Sequence, residues 1–166
     1  MNFKFNSNNQ LKRILVTGGA GFIGSALIRR LLLKTNTKVF NIDKLTYASD
    51  LTYLRELNQH NVQKHHLIKI DLSDYVSLQK AVIDSNPDLI FHLAAESHVD
   101  RSIDSPRQFI DTNIIGTFNL LQSALKHYRN LTKERKKSFK FIHVSTDEVF
   151  GSLGKDKYFD EKTPYN

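Results

Sequence analysis

Residues 14–24 read Ile-Leu-Val-Thr-Gly-Gly-Ala-Gly-Phe-Ile-Gly, and no other stretch restricts the fold as strongly. A short apolar run enters Gly18-x-x-Gly21-x-x-Gly24, and an apolar-periodic segment from Ser25 to Leu33 follows at once. That is the order of a strand, a tight glycine turn and a helix start. One glycine permits the sharp turn, one lets backbone approach a pyrophosphate, and one lets the helix pack close to the strand. The free N–H groups and positive dipole end of the new helix then face the phosphate charge. A bare glycine triplet is weak, but flanked by strand and helix patterns it is a dinucleotide-binding signal.

The same alternation continues along the chain. Lys12 to Thr17 reads as the first strand, apolar as expected where both faces are covered. The helix after Gly24 carries Ile23, Ala26, Leu27 and Leu31 on one side. Lys38 to Ile42 is a second strand with Asp43 at its carboxyl end, and Asp50 N-caps a short helix through Leu57. Leu67 to Ile70 forms the third strand, ending in Asp71. Ser73 or Asp74 caps a helix that buries Leu78, Ala81 and Val82. Pro87-Asp88 turns into a fourth strand, Leu89 to Leu93, and Ala94 to Asp104 reads as a polar loop. From Pro106, with proline in the first turn where it is tolerated, a long helix runs to about Tyr128. Its apolar stripe is Ile110, Ile114, Phe118, Leu121 and Leu125. Phe139 to Val144 is a fifth strand leading into Ser145-Thr146-Asp147-Glu148, and residues 149–166 show no complete element. The pattern predicts an α/β fold: a Rossmann-like, doubly wound parallel sheet of about five strands with right-handed crossovers. Residues 1–10 form a polar leader and 11–166 one dinucleotide-binding domain.

Composition serves mainly to exclude. The formal charge is +7, but the basic residues are scattered except for Lys133-Glu134-Arg135-Lys136-Lys137. That run reads as a solvated loop rather than a nucleic-acid site. The chain has no cysteine, so disulfides and thiolate metal sites are out, and no metal is expected. The Asn-rich start lacks the apolar core of a signal peptide, and no apolar run approaches a membrane span. A cytoplasmic protein with neither nucleic-acid nor membrane partner is expected. Asn130-Leu131-Thr132 matches a glycosylation acceptor by coincidence.

Sites in doubly wound sheets lie beyond the carboxyl ends of the strands. Gly18 to Gly24, Asp43, Asp71, Ala94 to Ser97 and Ser145 to Glu148 all fall there. Asp43, nineteen residues after Gly24, can bond the adenosine ribose hydroxyls and would repel a 2′-phosphate, which favours NAD over NADP; the other reading is a turn cap. Lys44 works against that exclusion, since it can pair with phosphate. Asp71 either meets the adenine edge or only closes a turn. Ala94 and Ala95 let a flat cofactor lie near the backbone, or simply pack tightly. His98, Asp100 and Arg101 are given no catalytic role. Thr146, Asp147 and Glu148 can act as substrate anchor, proton donor and proton acceptor. Equally, they can be a helix N-terminus with acids suited to its dipole.

These residues together resemble the extended short-chain dehydrogenase/reductase family, and within it the dTDP-glucose 4,6-dehydratases. The likeness rests on Val16 to Gly24, Asp43-Lys44-Leu45-Thr46-Tyr47-Ala48, His92 to Ser102, and Ser145-Thr146-Asp147-Glu148-Val149-Phe150-Gly151. The resemblance implies NAD as cofactor and dTDP-glucose as substrate. NAD takes hydride from sugar C4, Glu148 removes the C5 proton, Asp147 protonates the departing C6 hydroxyl, and hydride returns to C6, giving a 4-keto-6-deoxy sugar. Thr146 and Ser97 would face the sugar. Gly18, Gly21, Phe22, Ile23, Gly24, Asp43, Lys44, Leu45, Thr46, Asp71, Leu72, Leu93, Ala94, Ala95 and Thr112 would line the NAD site. A homodimer through the 106–128 helix is implied as well. Sugar-nucleotide epimerases share the glycine loop but lack the acid pair, and GDP-mannose dehydratases differ there too. The family also uses a Tyr-x-x-x-Lys pair on a helix after strand five. Tyr158-x-x-x-Lys162 has the spacing, but Pro164 would break that helix, so the pair reads as a decoy. The C-terminal part and the substrate lobe are missing by this comparison, strand five is left as an exposed edge, and a truncated, inactive chain is expected.

Overall fold

The computed structural model describes residues 12–152, 154 and 158–166; the leader expected over 1–10 lies outside them. Five strands form one parallel sheet in the order β3-β2-β1-β4-β5. They are β1 (Arg13–Thr17), β2 (Lys38–Asp43), β3 (His65–Lys69), β4 (Leu89–His92) and β5 (Lys140–His143). The central strand pairs on both sides, Thr17 lying opposite Ile42 of β2 and His92 of β4. The sequence order reverses direction at β1, so a crevice opens between the exits of β1 and β4, as the doubly wound pattern requires. Both β3 and β5 are edges of the sheet.

Alternation along β1 splits the core into two layers, because successive side chains point to opposite faces. Ile14 and Val16 pack with Ile28, Leu31 and Leu32 of α1 (Phe22–Lys34), and Leu15 packs with Leu78, Val82, Leu120 and Ala124 on the other face. The buried face of α1 is Gly24, Ile28, Leu31 and Leu32. This corrects the expected stripe, since Ile23 and Ala26 are exposed and Leu27 is half-buried. Gly24 sets the rotation. A Cβ there would stand 2.1 Å from the Gly18 carbonyl oxygen and 2.7 Å from Gly19 Cα, so helix and turn are in backbone contact.

Other elements differ from expectation for local reasons. Asp50 accepts from the Thr52 N–H at 2.7 Å and from its hydroxyl at 2.9 Å, closing a turn before the 3-10 segment Thr52–Glu56 instead of capping an α-helix. A further turn, α2 (Gln59–Val62), is capped by Asn58. The third strand begins two residues earlier than the apolar run, at His65, with Phe40 stacked on the His66 ring. Asp74 caps α3 (Tyr75–Ser85), which buries Leu78, Ala81 and Val82 as read. The loop expected over Ala94 to Asp104 contains α4 (Val99–Asp104).

The helix expected over 106–128 is a continuous helical run with an insertion. It comprises α5 (Pro106–Phe109), a π-helical stretch Ile110–Gly116, and α6 (Thr117–Asn130). Its apolar stripe of Ile110, Ile114, Phe118, Leu121 and Leu125 points outward, exposed at 41–61%. The basic run is also no solvated loop. Thr132 caps α7 (Lys133–Ser138), and the Arg135 guanidinium donates to the Asp88 carboxylate at 2.8 Å and to Asn86 Oδ1 at 2.8 Å. No helix among the described residues is long and apolar enough to cross a membrane.

Candidate functional site

The carboxyl ends of β1 to β4 enclose a cleft of about 710 Å³, mouth included. Its wall takes Gly18 and Gly21 from the turn, Asp43, Lys44 and Thr46 after β2, and Asp71 and Leu72 after β3. Leu93, Ala94, Ala95 and Ser97 follow β4, and Thr112 comes from the π-helical stretch. Of the residues expected to hold a dinucleotide, Phe22, Ile23, Gly24 and Leu45 are not on this wall. Phe22 and Ile23 are exposed in the first turn of α1, and Gly24 is buried under it.

The glycine turn is built for close backbone approach. Gly18 has φ +70°, and a Cβ there would meet the Ala94 nitrogen and Cα at 2.7 Å. The exits of β1 and β4 therefore touch through backbone, which is why small residues stand on both sides. Gly21 is the N-cap of α1, and no side chain caps the helix. Its first N–H groups are left for an anion, with the positive dipole end behind them.

Asp43 is fixed by the protein on both oxygens. Oδ2 accepts from the Ala20 N–H at 2.9 Å, and Oδ1 accepts from the Leu45 N–H at 2.8 Å and the Ser49 hydroxyl at 3.2 Å. It thus lines the cleft and also ties the glycine turn to the loop after β2, where Leu45 takes φ 58°. Asp71 closes a turn, its Oδ1 accepting from the Ser73 N–H and hydroxyl at 2.9 Å, and the residue also lines the cleft. Lys44 is not free for phosphate. Its ammonium donates to Glu96 Oε1 and to Thr112 Oγ1, both at 2.9 Å.

Several residues of the site were invisible as such in the sequence. Asn113 Oδ1 accepts from the Glu96 N–H at 2.8 Å, and its Nδ2 donates to the Glu96 carbonyl at 2.9 Å, clamping the loop after β4. Beneath the cleft, His92 is 1% exposed. Its Nδ1 lies 2.7 Å from Thr17 Oγ1 and its Nε2 2.9 Å from Thr117 Oγ1. Burial, with a smaller contribution from His143, pushes its pKa down to about 4, so it is a neutral strut between β1, β4 and α6. Neither strut nor clamp has a spacing signature: His92 is the last residue of β4 and Asn113 lies within the π-helical stretch.

Thr146, Asp147 and Glu148 lie at the exit of β5, next to that of β4, but they do not line the cleft. All three are exposed. Thr146 N-caps the 3-10 segment Asp147–Phe150, its hydroxyl oxygen accepting from the Glu148 N–H at 3.2 Å, with both acids in the first turn. Phe150 packs against Phe159 and Tyr165 with ring centroids 5.1 and 5.5 Å apart. Tyr158 is 94% exposed, and Lys162 sits in a turn closed by Asp160; neither is on a helix.

With this geometry in hand, comparison with known proteins is specific. The family described as GDP-mannose 4,6 dehydratase matches residues 15–166. A probable dTDP-glucose 4,6-dehydratase of Sinorhizobium fredii is 49% identical over 154 residues, which are 93% of this chain and 43% of that protein. The solved dTDP-glucose 4,6-dehydratase of Streptomyces venezuelae, crystallised with NAD, superposes with a TM-score of 0.76 at 36% identity, covering 93% of this chain and 45% of that one. The Bacillus anthracis enzyme in complex with NAD gives 0.74 at 34%, covering 93% and 44%. The chain spans less than half the length of the relatives it matches.

Proposed function

The chain belongs to the GDP-mannose 4,6-dehydratase family, and on that premise we propose that it is the NAD-holding part of a dTDP-glucose 4,6-dehydratase. The observation that carries the reading is one cleft lined by the glycine turn, Asp43, Asp71, Ala94, Ala95 and Thr112. The residues fit the cofactor. The uncapped start of α1 would receive the pyrophosphate and the fixed Asp43 carboxylate would bond the ribose, while the backbone contact at Gly18 leaves no room for a side chain. Phe22, Ile23 and Gly24 contribute through their N–H groups rather than their side chains. Residues 11–166 act as one dinucleotide-binding unit in this reading.

When bound, NAD supplies an acceptor for hydride from sugar C4 and a donor of it to C6. Around it, Thr146 and Ser97 hold the sugar, Glu148 takes the C5 proton, and Asp147 protonates the C6 oxygen, which leaves as water. Two acids at one helix start can divide these tasks if the sugar desolvates one more than the other. The acid pair favours a dTDP-glucose enzyme over an epimerase. Tyr158 and Lys162 do not supply the base for the C4 hydroxyl, so these 166 residues alone are not expected to turn over. The outward stripe from Ile110 to Leu125 pairs two copies of the chain, which would bury the apolar surface now in water.

Calorimetric titration of NAD into the folded chain tests the reading, with saturable binding expected; absence of heat from a folded sample removes it. Incubation with NAD and dTDP-glucose is expected to yield no keto sugar, and product would restore Tyr158 and Lys162 as a working pair.

A further inference from the structure

Among the described residues on the wall of the cleft, Lys44 is the one cation, set against the carboxylates of Asp43, Asp71 and Glu96. It follows Asp43 directly, on the loop that would meet the adenosine ribose. Alone, it would give a 2′-phosphate an ammonium to bind and would blunt the repulsion from Asp43. Instead its Nζ is 2.9 Å from Glu96 Oε1, in a pair whose side chains are 28% and 12% exposed. The pairing is not a chance surface contact. Asn113 grips the Glu96 peptide on both its N–H and its carbonyl, and Thr112, the residue before it, takes a second proton of the Lys44 ammonium. Two adjacent residues of the π-helical stretch therefore hold anion and cation together. In such a partly buried place the pair is screened far less than one in open water.

We propose that Glu96 sets the cofactor's phosphate preference, cancelling the Lys44 charge so that the cleft accepts a 2′-hydroxyl and refuses a 2′-phosphate. The proposal rests on the NAD reading above and adds a residue to it. Asp43 repels the extra phosphate; Glu96 withholds the cation that would otherwise compensate. Glu96 acts through Lys44 and is a specificity-determining residue rather than a catalytic one.

The test uses the 166-residue chain, with NAD and NADP titrated separately by calorimetry. Glu96→Gln keeps the side-chain shape and removes the charge. The NADP-to-NAD affinity ratio should rise at least about tenfold, the range of one charge-assisted hydrogen bond. That gain should vanish in Glu96→Gln/Lys44→Gln, because the cation is then gone. It should also shrink as KCl is raised, a response that a structural loosening would not produce. Glu96→Ser provides the same reading if the glutamine variant does not fold. A ratio unchanged in variants that still bind NAD overturns this proposal alone. Failure of the parent chain to bind NAD overturns the cofactor reading, and this proposal with it.

Discussion

Adding one methyl group at Gly24 or at Gly21 should damage different properties, although both sit in the same glycine motif. At Gly24 the added Cβ lies 2.1 Å from the Gly18 oxygen, with Gly19 Cα at 2.7 Å and the Gly18 carbonyl carbon at 2.9 Å. The nearest of these is roughly 1.4 Å inside ordinary contact distance, and all are backbone atoms that no rotamer change can move. Alanine is favoured over glycine within a helix by about 1 kcal/mol, whereas overpacking of this kind costs about 1–3 kcal/mol or more. Gly24→Ala should therefore lose about 2 kcal/mol, a fall of about 1 M in the urea midpoint for an m-value of about 2 kcal/mol/M. At Gly21 the backbone is extended, with φ −77° and ψ 174°, and the new Cβ meets only the Gly18 oxygen, at 3.3 Å. Its stability cost should stay near 1 kcal/mol or below. Yet Gly21 lines the cleft, and the methyl group would stand where the pyrophosphate approaches, weakening NAD at least about tenfold. Urea unfolding followed by circular dichroism, with NAD calorimetry on the same samples, measures both. Parent-like unfolding of Gly24→Ala would refute the backbone contact between α1 and the turn, and parent-like NAD affinity of Gly21→Ala would refute the cradle.

Three further outcomes follow from the same structure. His92 has an unfolded pKa near 6.5 and a folded value of about 4, so the folded state resists its protonation. Stability should be level above about pH 6.5 and fall as pH drops toward 4, by at most about 3 kcal/mol from this residue. His65, also held at about 4 by burial, adds to the slope, and His92→Asn should flatten urea midpoints measured between pH 7 and 5. Arg135→Met removes the partner of Asp88, whose other oxygen accepts from the Lys12 and Arg13 N–H groups; a loss of about 2 kcal/mol is expected, against less than about 0.5 for Lys137→Met. For the helix pairing, sedimentation velocity should find the parent dimeric and Phe118→Glu/Leu121→Glu monomeric, and a monomeric parent would remove the dimer.

Most of the sheet was legible because its signals are local. The apolar runs at Ile14, Val39 and Leu89 cannot be exposed, the glycines leave one way for the chain to turn, and Asp74 announces α3 by its type and place. The place of the cleft followed, since parallel strands send their exits to one edge, where Gly18, Asp43, Asp71, Ala94 and Ala95 line it. What could not be read is pairing between distant residues. Nothing in the run from Lys133 to Lys137 says that Arg135 will find Asp88 forty-seven positions away. Helix propensity and a capping threonine then turn the expected loop into α7. Nor does composition tell that Glu96 will hold Lys44, because nothing in the type or spacing of either residue points to the other.

The helical run from Pro106 to Asn130 shows the deeper reason. An apolar stripe at helical spacing ordinarily marks the buried face, yet here the buried face is Thr112, Gly116, Asn119, Ser123 and His127 beside Leu120 and Ala124. The helix lies across the sheet's connecting loops, where backbone groups left over by the strands need partners. Asn119 Nδ2 donates to the carbonyls of Leu72 and Ser73, and His127 Nε2 meets the Pro87 carbonyl at 2.8 Å. Asn113 holds Glu96, Thr112 takes Lys44, and a Cβ on Gly116 would strike Leu72 Cβ at 2.8 Å. One face thus ties the exits of β2, β3 and β4 together, and it has to be polar and small to do so. The π-helical stretch falls where two successive residues, Thr112 and Asn113, serve different loops, in keeping with the clustering of such insertions at functional sites. Hydrophobic spacing therefore identifies the helix without identifying its inward side, and the apolar residues turned outward are the surface on which the proposed pairing of two copies rests.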